Sequence, residues 1–440
     1  ALLIGIMSCI GLIALKRPFH KIMTGTLKPI LGYLMLAAGA GVIVSNLDPL
    51  GKMIEHGFHI TGVVPNNEAI VAVAQKVLGV ETMSILVVGL LMNLCIARFT
   101  KFKYVFLTGH HSLFMACLMS AVLGTAGLSG MELILVGGFL MGAWSAISPA
   151  IGQSYTSKVT DGDEIAIGHF GSLGYYLSAW VAKYVGKAEN STEDIEIPEK
   201  WGFLRDSTLS TALTMIVFYL IAAFAAGSEF VATLSGDMSP YLYAVMSAMN
   251  FAVGVTIVYS GVRMILGDLI PAFQGIATKI IPNAIPAVDC AVFFTYAPTA
   301  VVLGFLSSFI GGIIGMLILG AVGGVLIIPG LVPHFFCGAT AGIYGNATGG
   351  RRGAAVGAFL NGLAITFLPA LALPVLGQLG FQNTTFGDAD FAVMGLVLGN
   401  AYEWVGMAGI YGIVAIAALV LIIPNFIKTK GKVINYVEED

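Results

Sequence analysis

The chain has 440 residues, of which 57% are hydrophobic and only 10% are charged, and its mean hydropathy is +0.91. Soluble domains carry roughly a quarter charged residues, so this composition excludes an ordinary soluble domain and indicates a polytopic membrane protein. The formal net charge of −3 and the lack of a basic run interleaved with aromatics argue against nucleic-acid binding.

The five cysteines show no CxxC spacing and are interpreted as small buried hydrophobic residues. No Walker-type phosphate loop is present, so we do not expect nucleotide hydrolysis.

Eleven apolar runs predict an all-α membrane protein with about eleven transmembrane helices. The first run begins at Ala1 and is shorter than the roughly 20 residues that a spanning helix needs, so we expect further residues upstream and no cleavable signal peptide. In chain order, the runs are 1–15, 30–47, 83–97, 104–124, 131–151, 208–228, 241–262, 298–320, 322–345, 354–376 and 405–427.

The connecting charges predict the direction of these helices, because Lys and Arg concentrate in cytoplasmic loops. Only Lys52 and Lys76, of the 21 Lys and Arg residues, fall on the outer side of the topology that fits the others. This topology places the start of the first helix outside and the C-terminus in the cytoplasm. The acidic segment 188–206 is interpreted as a water-facing linker, with docking of a partner as the alternative.

Four segments are too polar or too rich in Pro and Gly for simple spans: 48–80, 161–187, 263–298 and 329–350. Irregular backbone at membrane depth is tolerated only where protein covers it or where it lines a cavity. We therefore expect re-entrant hairpins, broken helices or amphipathic interfacial helices here. The segment 263–298 contains Asp268, Asp289 and three prolines, at 271, 282 and 286, which predict a proline-broken backbone.

Two weak internal sequence similarities suggest that the chain consists of two related halves. KPILGYLMLA at 28–37 resembles RMILGDLIPA at 263–272, and LTGHHSLF at 107–114 resembles LVPHFFCG at 331–338. The predicted topology gives residues 1–206 and 207–400 opposite orientations, and residues 401–440 form the last helix and a tail. Inverted repeats of this kind place a substrate site near the membrane midplane, at the repeat interface.

Ionisable residues within the irregular apolar segments are the candidates for a polar site. His20, His56 and His59 lie in charged loops and are interpreted as solvated, whereas His110, His111, His169 and His334 lie at breaks in apolar runs. Each of these four could also be an ordinary hydrogen-bonding residue between helices. No pair has metal-ligand spacing, so we predict neither a metal nor a cofactor.

Among the acidic residues, Asp289 ranks first because an unpaired carboxylate in hydrocarbon costs on the order of 2.5–3.5 kcal/mol on insertion scales. Asp268 could be paired structurally with a nearby basic residue. Glu68 could be a loop residue or could enter the cavity beside Asn67, and the sequence leaves both open. Imidazoles, carboxamides and a carboxylate suit a small ligand rich in hydroxyl groups, since each hydroxyl both donates and accepts.

Several strings resemble the L-ascorbate-type IIC permeases of the bacterial phosphoenolpyruvate-dependent sugar phosphotransferase system, and the resemblance covers nearly the whole chain. They are LLIGIMSCIG, KPILGYLMLAAGAGVI, MNLCI, FLTGH, VTDGDEIAIGH, IIPNAIPAVDCA, APTAVV and LIIPGLVPHFF. The resemblance implies a homodimer in the lipid of the inner membrane, with a substrate-binding core domain and a dimerisation domain in each protomer. It also implies that a cytoplasmic IIB protein, phosphorylated by IIA, phosphorylates the bound substrate.

Carried over position by position, the resemblance implies a set of substrate-binding residues: Asn67, Glu68, His110, His111, Ser112, Leu113, Phe114, His169, Phe170 and Asp289. The chain departs from the family at Phe114 and Phe170, where ascorbate permeases are expected to carry glutamine, and at residues 67–68, where they are expected to carry Thr-Tyr. The expected ligand is L-ascorbate or a related acidic or neutral sugar derivative. A carboxylate in the site would repel the ascorbate anion.

In this reading IIB supplies the phosphoryl-transfer chemistry, and Asp289 or His169 is the candidate base that accepts the substrate proton. One alternative is a secondary transporter of a small polyol, sugar or sugar acid, in which the carboxylates and histidines form a proton relay. Another is a passive channel or a purely structural membrane component.

Overall fold

The chain folds almost entirely into helices, which confirms the predicted all-α class of a polytopic membrane protein. The computed structural model describes residues 1–59, 62–65, 67–162, 164–195, 207–377 and 385–426. The fourteen α-helices of this described part are α1 Leu2–Ala14, α2 Phe19–Gly57, α3 Asn67–Phe99, α4 Gly109–Thr125, α5 Gly130–Ile151, α6 Gln153–Val159, α7 Ser172–Val185, α8 Ser207–Ala226, α9 Ser228–Ser235, α10 Pro240–Lys279, α11 Pro298–Ala321, α12 Leu331–Gly377, α13 Ala389–Val405 and α14 Met407–Ile422.

All eleven predicted runs overlap helices, but fewer helices are long and apolar enough to span by themselves. Seven described helices meet both conditions, and an eighth is formed if α8 and α9, bent by 116°, count as one broken span. With 13 and 17 residues, α1 and α4 are too short, and the runs 322–345 and 354–376 both fall on α12. Gly350 interrupts α12 with a non-helical conformation, φ 62° and ψ −157°, so α12 is two helices joined at this residue.

The four segments predicted to be irregular behave differently from one another. Residues 161–187 and 329–350 do contain breaks, the latter at Gly350. The prediction of a proline-broken backbone was wrong for the first part of 263–298, because α10 continues through Pro271 to Lys279. Neighbouring helices and local adjustments can satisfy the backbone group that a membrane proline frees. Beyond α10 the chain is non-helical as far as a 3-10 helix, Cys290–Thr295.

The helices form two bundles that contact each other sparsely. The scaffold bundle consists of α1, α2, α8, α9 and α10, and the core bundle consists of α3–α7 and α11–α14. Within the scaffold bundle α2 and α10 pack antiparallel: an added Cβ at Gly32 would lie 2.8 Å from the Gly261 oxygen, and one at Gly39 would lie 2.7 Å from the Gly254 oxygen. Glycine is therefore required where the two backbones nearly touch.

A small parallel sheet, which sequence analysis did not predict, lies buried in the core bundle. Its strands are β1 Tyr104–Phe106, β2 Ala166–Ile167 and β3 Ile285–Val288, in the order β1-β3-β2. The Asn93 side chain completes the free edge of β1, because its Nδ2 donates to the Tyr104 carbonyl at 3.1 Å and its Oδ1 accepts from the Phe106 N–H at 3.0 Å. The Asn93 amide thus takes the place of a neighbouring strand at this edge.

A second, shorter set of extended segments has the same order as the sheet, a central segment between two parallel neighbours. The half of the chain that supplies the central segment is the opposite one. Residues 62–65 form parallel bridges, Val63 with Ile327 and Pro65 with Thr385. In the sheet, the central strand β3 comes from the second half of the chain and its neighbours from the first. In the second set, the central segment comes from the first half and its neighbours from the second.

Replacing Asn93 by Leu should destabilise the protein, because both hydrogen bonds to β1 are lost and each lost buried bond costs about 1–3 kcal/mol. Thermal unfolding of detergent-solubilised protein measures the effect. Asn400→Leu is the matched control, since the Asn400 side chain donates only to Leu396 of its own helix among the bonds described. Equal stability of the two variants would show that Asn93 does not support the sheet.

Candidate functional site

The carboxyl ends of the three parallel strands lie on the same side of the sheet, and predicted site residues follow each strand within a few residues. After β1 the chain enters α4 with His110 and His111, after β2 it reaches His169, and after β3 it reaches Asp289. Parallel strands align their carboxyl ends, so residues separated by up to about 180 positions converge here. The sheet is therefore the element that assembles the candidate site.

These residues line a cavity of about 1400 Å³ between the scaffold bundle and the core bundle. The scaffold wall comes mainly from α2 and α8, and the core wall from α11, from the starts of α4 and α12 and from the strand ends, with Asn67 at the start of α3. The predicted site residues on the wall are Asn67, His110, His111, Phe114, His169 and Asp289. Most of the remaining wall is apolar, as is usual for sites that bind small molecules.

Backbone N–H groups set the protonation of two of the histidines. The Phe170 N–H donates to Nδ1 of His111 at 3.2 Å, and the Gly171 N–H donates to Nδ1 of His169 at 3.2 Å. A backbone N–H can only donate, so each Nδ1 is an acceptor and each neutral ring carries its proton on Nε2. The Tyr175 hydroxyl donates a second bond to Nδ1 of His169, at 2.7 Å.

His169 is therefore held as a neutral ring. Burial lowers the pKa of the His169 imidazole below its usual range, against the opposing attraction of the Asp388 and Asp289 carboxylates. The ring of His111 lies against that of His169, with centroids 3.7 Å apart. The two imidazoles form a neutral pair, and each offers an Nε2–H as a hydrogen-bond donor.

Asp289 and His110 form a third polar element. Oδ1 of Asp289 caps the 3-10 helix by accepting from the Ala291 N–H at 3.1 Å. The buried Oδ2 has no hydrogen-bond partner among the described residues and lies 3.4 Å from Nε2 of His110. On the other side of this ring, Nδ1 lies 3.3 Å from the hydroxyl of Tyr33, which belongs to the scaffold bundle. This polar contact crosses the boundary between the two bundles.

Sequence analysis missed a second buried carboxylate in the cavity wall, Asp388. Its Oδ2 accepts from Nδ2 of Asn67 at 2.6 Å, its Oδ1 accepts from Sγ of Cys337 at 2.8 Å, and the same Oδ1 lies 3.9 Å from Nδ1 of His169. The available signal was the acidic pair in Gly-Asp-Ala-Asp at 387–390, just before an apolar helix. That pattern is equally typical of an ordinary helix N-terminus, so it did not identify a site.

Asp390, the other member of this pair, is buried behind the cavity wall. It accepts from the Ser172 hydroxyl at 2.8 Å, from the Leu173 N–H at 3.0 Å and from the indole N–H of Trp144 at 3.3 Å. These three bonds join the starts of α7 and α13 to α5. Asp390 therefore supports the segment that carries Asp388.

Three of the remaining predicted residues, Ser112, Leu113 and Phe170, do not line the cavity. Ser112 is buried and donates to the Thr108 carbonyl, and Leu113 is half-buried outside the cavity wall. Phe170 is fully buried and stacks on Phe106 with centroids 4.6 Å apart. Glu68 lies at the start of α3, but its side chain lies outside the described residues.

Two residues from the earlier list of candidates have structural partners away from the cavity wall. His334 is buried and bonds to the Ser308 hydroxyl at 2.9 Å through Nδ1. Asp268 lies 3.6 Å from Nζ of Lys28 in the scaffold bundle, as its lower rank anticipated. Neither residue is described as part of the cavity wall.

Side chains that could bind a metal lie closer together than their sequence spacing indicated. His111, His169 and Asp388 form one such group, and His169, Asp289 and Cys290 form another, with ligand atoms within 4.8 Å of one another in each. His169 belongs to both groups, and its Nδ1 already accepts two hydrogen bonds. We therefore interpret the cluster as a hydrogen-bonding site.

Two substitutions should move the pKa of His169 in opposite directions. Tyr175→Phe removes a donor to the neutral ring and should raise the pKa by roughly half to one pH unit, since a hydrogen bond contributes about 0.5–1.5 kcal/mol. Asp388→Asn removes an attracting negative charge and should lower the pKa. Titration of ¹⁵N-histidine-labelled protein in detergent by NMR measures both. Shifts of the same sign would contradict the hydrogen-bonding scheme.

Comparison with known proteins gives two findings. A family model described as EIIC-GAT, PTS system sugar-specific permease component, matches residues 1–390. The ascorbate-specific PTS system EIIC component of Mycoplasma pneumoniae is 28% identical over 408 residues, covering 79% of this chain and 61% of the relative. The chain thus spans about three fifths of that relative's length. The match of the family model over most of the chain confirms the predicted family, and the chain belongs to the EIIC-GAT family of PTS sugar-specific permease components.

Proposed function

We propose that this protein is the IIC permease of a phosphotransferase system, which binds L-ascorbate or a related sugar derivative and moves it across the membrane for phosphorylation by a cytoplasmic IIB protein. The observation that carries the proposal is the cavity between the two bundles, whose wall brings His110, His111, His169 and Asp289 together. The family of the chain and the ascorbate specificity of its relative from Mycoplasma pneumoniae support the transport class.

Substrate recognition follows from the hydrogen-bonding capacity of these groups. The Nε2–H groups of His111 and His169 donate, and Oδ2 of Asp289 accepts. A sugar hydroxyl answers both demands, because it donates one bond and accepts others. Phe114 contributes an apolar face at the same wall, on which the C–H side of a sugar ring can pack.

Transport would require the core bundle to move relative to the scaffold bundle. Their sparse contacts favour such a movement, and the Tyr33–His110 contact would be exchanged during it. The scaffold bundle would form the homodimer interface. The antiparallel packing of α2 and α10 and the exchanged extended segments support the assignment of residues 1–206 and 207–400 as inverted halves.

Phosphoryl transfer would occur after the ligand reaches the cytoplasmic side. The substrate hydroxyl oxygen attacks the phosphorus of the IIB phosphocysteine, the S–P bond breaks, and the cysteine leaves as a thiolate. Of the two candidate bases, Asp289 is favoured as acceptor of the hydroxyl proton, because its Oδ2 accepts no described hydrogen bond, although His110 lies 3.4 Å away. Nδ1 of His169 already accepts two hydrogen bonds and its Nε2 carries a proton. IIA would then recharge IIB from phosphoenolpyruvate.

The family supports a location in the inner membrane, and the positive-inside pattern favours a cytoplasmic C-terminus, on the side where IIB would bind. A proton-coupled secondary transporter remains the second candidate, favoured by the contiguous imidazole rings of His110, His111 and His169 next to two carboxylates. The energy source distinguishes the two functions.

Membrane vesicles containing the protein should accumulate radiolabelled L-ascorbate, as its phosphate ester, only when phosphorylated IIB is supplied. Asp289→Asn should reduce this accumulation about ten- to a hundredfold, because hydrogen bonds to a charged group contribute about 1.5–3 kcal/mol. Asp268→Asn is the matched control in the scaffold bundle and should leave accumulation nearly unchanged. Accumulation of unmodified substrate driven by a proton gradient alone would support the secondary transporter.

Phe114→Gln should raise the affinity for L-ascorbate several-fold, because it restores an amide at the cavity wall where ascorbate permeases are expected to carry one. Phe170→Gln is the control: this ring is buried against Phe106, so its replacement should lower stability without improving binding. Equilibrium binding and thermal unfolding of detergent-solubilised protein measure the two effects. Equal gains in affinity for both variants would show that contact with the cavity is not the cause.

A further inference from the structure

The three imidazoles at the strand ends differ in which bundle holds them. The rings of His111 and His169 each accept at Nδ1 from a backbone N–H of the core bundle. The described partner of Nδ1 of His110 is instead the hydroxyl of Tyr33, 3.3 Å away on α2 of the scaffold bundle. Two of the rings are therefore held within one bundle, whereas the third is held from across the boundary.

The direction of the Tyr33 bond follows from the group on the other side of the His110 ring. Nε2 of His110 lies 3.4 Å from Oδ2 of Asp289. An ionised carboxylate can only accept, so its charge favours the tautomer of His110 that carries the proton on Nε2. In this tautomer Nδ1 is an acceptor, and the Tyr33 hydroxyl donates to it. The bond from Tyr33 thus keeps the N–H edge of His110 beside the Asp289 carboxylate.

Tyr33 lies where the two bundles meet. It is half-buried, and it lines the main cavity. It also lines a second, small pocket, together with Leu36 and Ile265 of the scaffold bundle and with Leu107 and Val288 of the segments around the sheet. Apolar side chains from both bundles pack around this part of the boundary, and the Tyr33 hydroxyl has its described hydrogen-bond partner in the imidazole.

The His110 ring also contacts other residues of the site, so its position matters for a ligand. Its centroid lies 4.8 Å from that of His111 and 5.8 Å from that of Phe114. The His110 side chain is 44% exposed, so a ligand can reach it. Immobilising an exposed side chain on binding costs affinity. A hydrogen bond that holds the ring before the ligand arrives lowers this cost.

The same bond cannot survive a movement between the bundles. A donor–acceptor distance beyond about 3.5 Å no longer counts as a hydrogen bond, so a displacement of the core bundle by more than about an ångström would release Nδ1 of His110. Nδ1 of His111 and Nδ1 of His169 would keep their backbone donors, which move with them. Only an arrangement with Tyr33 in contact holds all three rings.

We infer that Tyr33 is a positioning residue for the ligand site: from the scaffold bundle it holds His110 beside Asp289, so that the affinity of the cavity for its ligand depends on the relative position of the two bundles. The inference rests on the proposed function, since it concerns the same cavity and the same movement. It goes further by naming a scaffold residue, outside the ligand contacts that the family resemblance implies, through which binding and movement are coupled.

The first test asks whether Tyr33 acts on His110. Tyr33→Phe keeps the ring and removes the hydroxyl, so the Nδ1 signal of His110 should shift in NMR spectra of the ¹⁵N-histidine-labelled full chain in detergent, while the signals of His111 and His169 stay in place. Tyr219→Phe is the matched control, because the Tyr219 hydroxyl donates to the Asn46 carbonyl within the scaffold bundle. It should leave all three histidine signals unchanged.

The second test separates positioning from a general structural role. Tyr33→Phe should weaken equilibrium binding of radiolabelled L-ascorbate about two- to tenfold, as expected for the loss of one neutral hydrogen bond, whereas Tyr219→Phe should not. In vesicles supplied with phosphorylated IIB, Tyr33→Phe should raise the half-saturating ascorbate concentration by a similar factor. The maximal rate of accumulation should not fall, because the bond to His110 breaks in every transport cycle.

Three results would overturn the inference: a His110 signal that Tyr33→Phe leaves in place, an unchanged ascorbate affinity, or a lower maximal rate at an unchanged half-saturating concentration. Failure of the proposed function looks different. An unmodified chain that binds no ascorbate, or that accumulates it without phosphorylated IIB, contradicts the proposed function. The NMR comparison needs neither ligand nor IIB, so it decides in either case whether Tyr33 positions His110.

Discussion

The structure depends on satisfying backbone hydrogen bonds in a protein whose surroundings supply few. Helices satisfy their own N–H and C=O groups, but the chain is extended or irregular just before α4, which carries His110, and just before His169 and Asp289. Three short parallel strands solve this by bonding to one another, and the amide of Asn93 completes the edge of β1. Because the three strands end on the same side, the sheet that satisfies these backbone groups also places the polar side chains in one cavity.

Backbone hydrogen bonds at the strand ends also determine the charge of two histidines in the site. Backbone N–H groups that follow the strands donate to Nδ1 of His111 and His169, and thereby fix both rings as neutral Nε2–H donors. A salt bridge of His169 with Asp388 would require protonation, and burial opposes it. Of the histidines at the strand ends, only His110 lies within 4 Å of the Asp289 carboxylate among the ion pairs described, with Nε2 3.4 Å from Oδ2. Main-chain geometry at the strand ends therefore fixes which ring nitrogens of His111 and His169 can donate to a ligand.

Sequence alone predicted the class, the apolar runs and the four ionisable residues that meet at the strand ends, His110, His111, His169 and Asp289. An ionisable residue at a break in an apolar run is conspicuous because it is costly in a membrane. It could not predict the sheet, since β2 has two residues and no periodicity can show in so short a strand. Asp388 was missed because an acidic residue before a helix is usually a cap. The departures at Phe114 and Phe170 looked equivalent in sequence, but Phe114 lines the cavity whereas Phe170 is buried against Phe106. Pro271 was misleading because α10 continues through it.

The two pairs of similar sequence segments, 28–37 with 263–272 and 107–114 with 331–338, have different surroundings in the structure. The segments at 28–37 and 263–272 lie on α2 and α10, which run antiparallel with glycines at both close contacts. At the position that Tyr33 occupies in one copy, the other has Asp268, so only the first copy carries the residue that contacts His110. His110 likewise has no counterpart on the cavity wall, because His334 of the segment 331–338 bonds to Ser308 instead. Similar segments with unlike side chains therefore give the cavity a single buried cluster of imidazoles and carboxylates, on the side of the core bundle. A ligand that uses this cluster would meet it from one side only, with Tyr33 of the scaffold bundle at its margin.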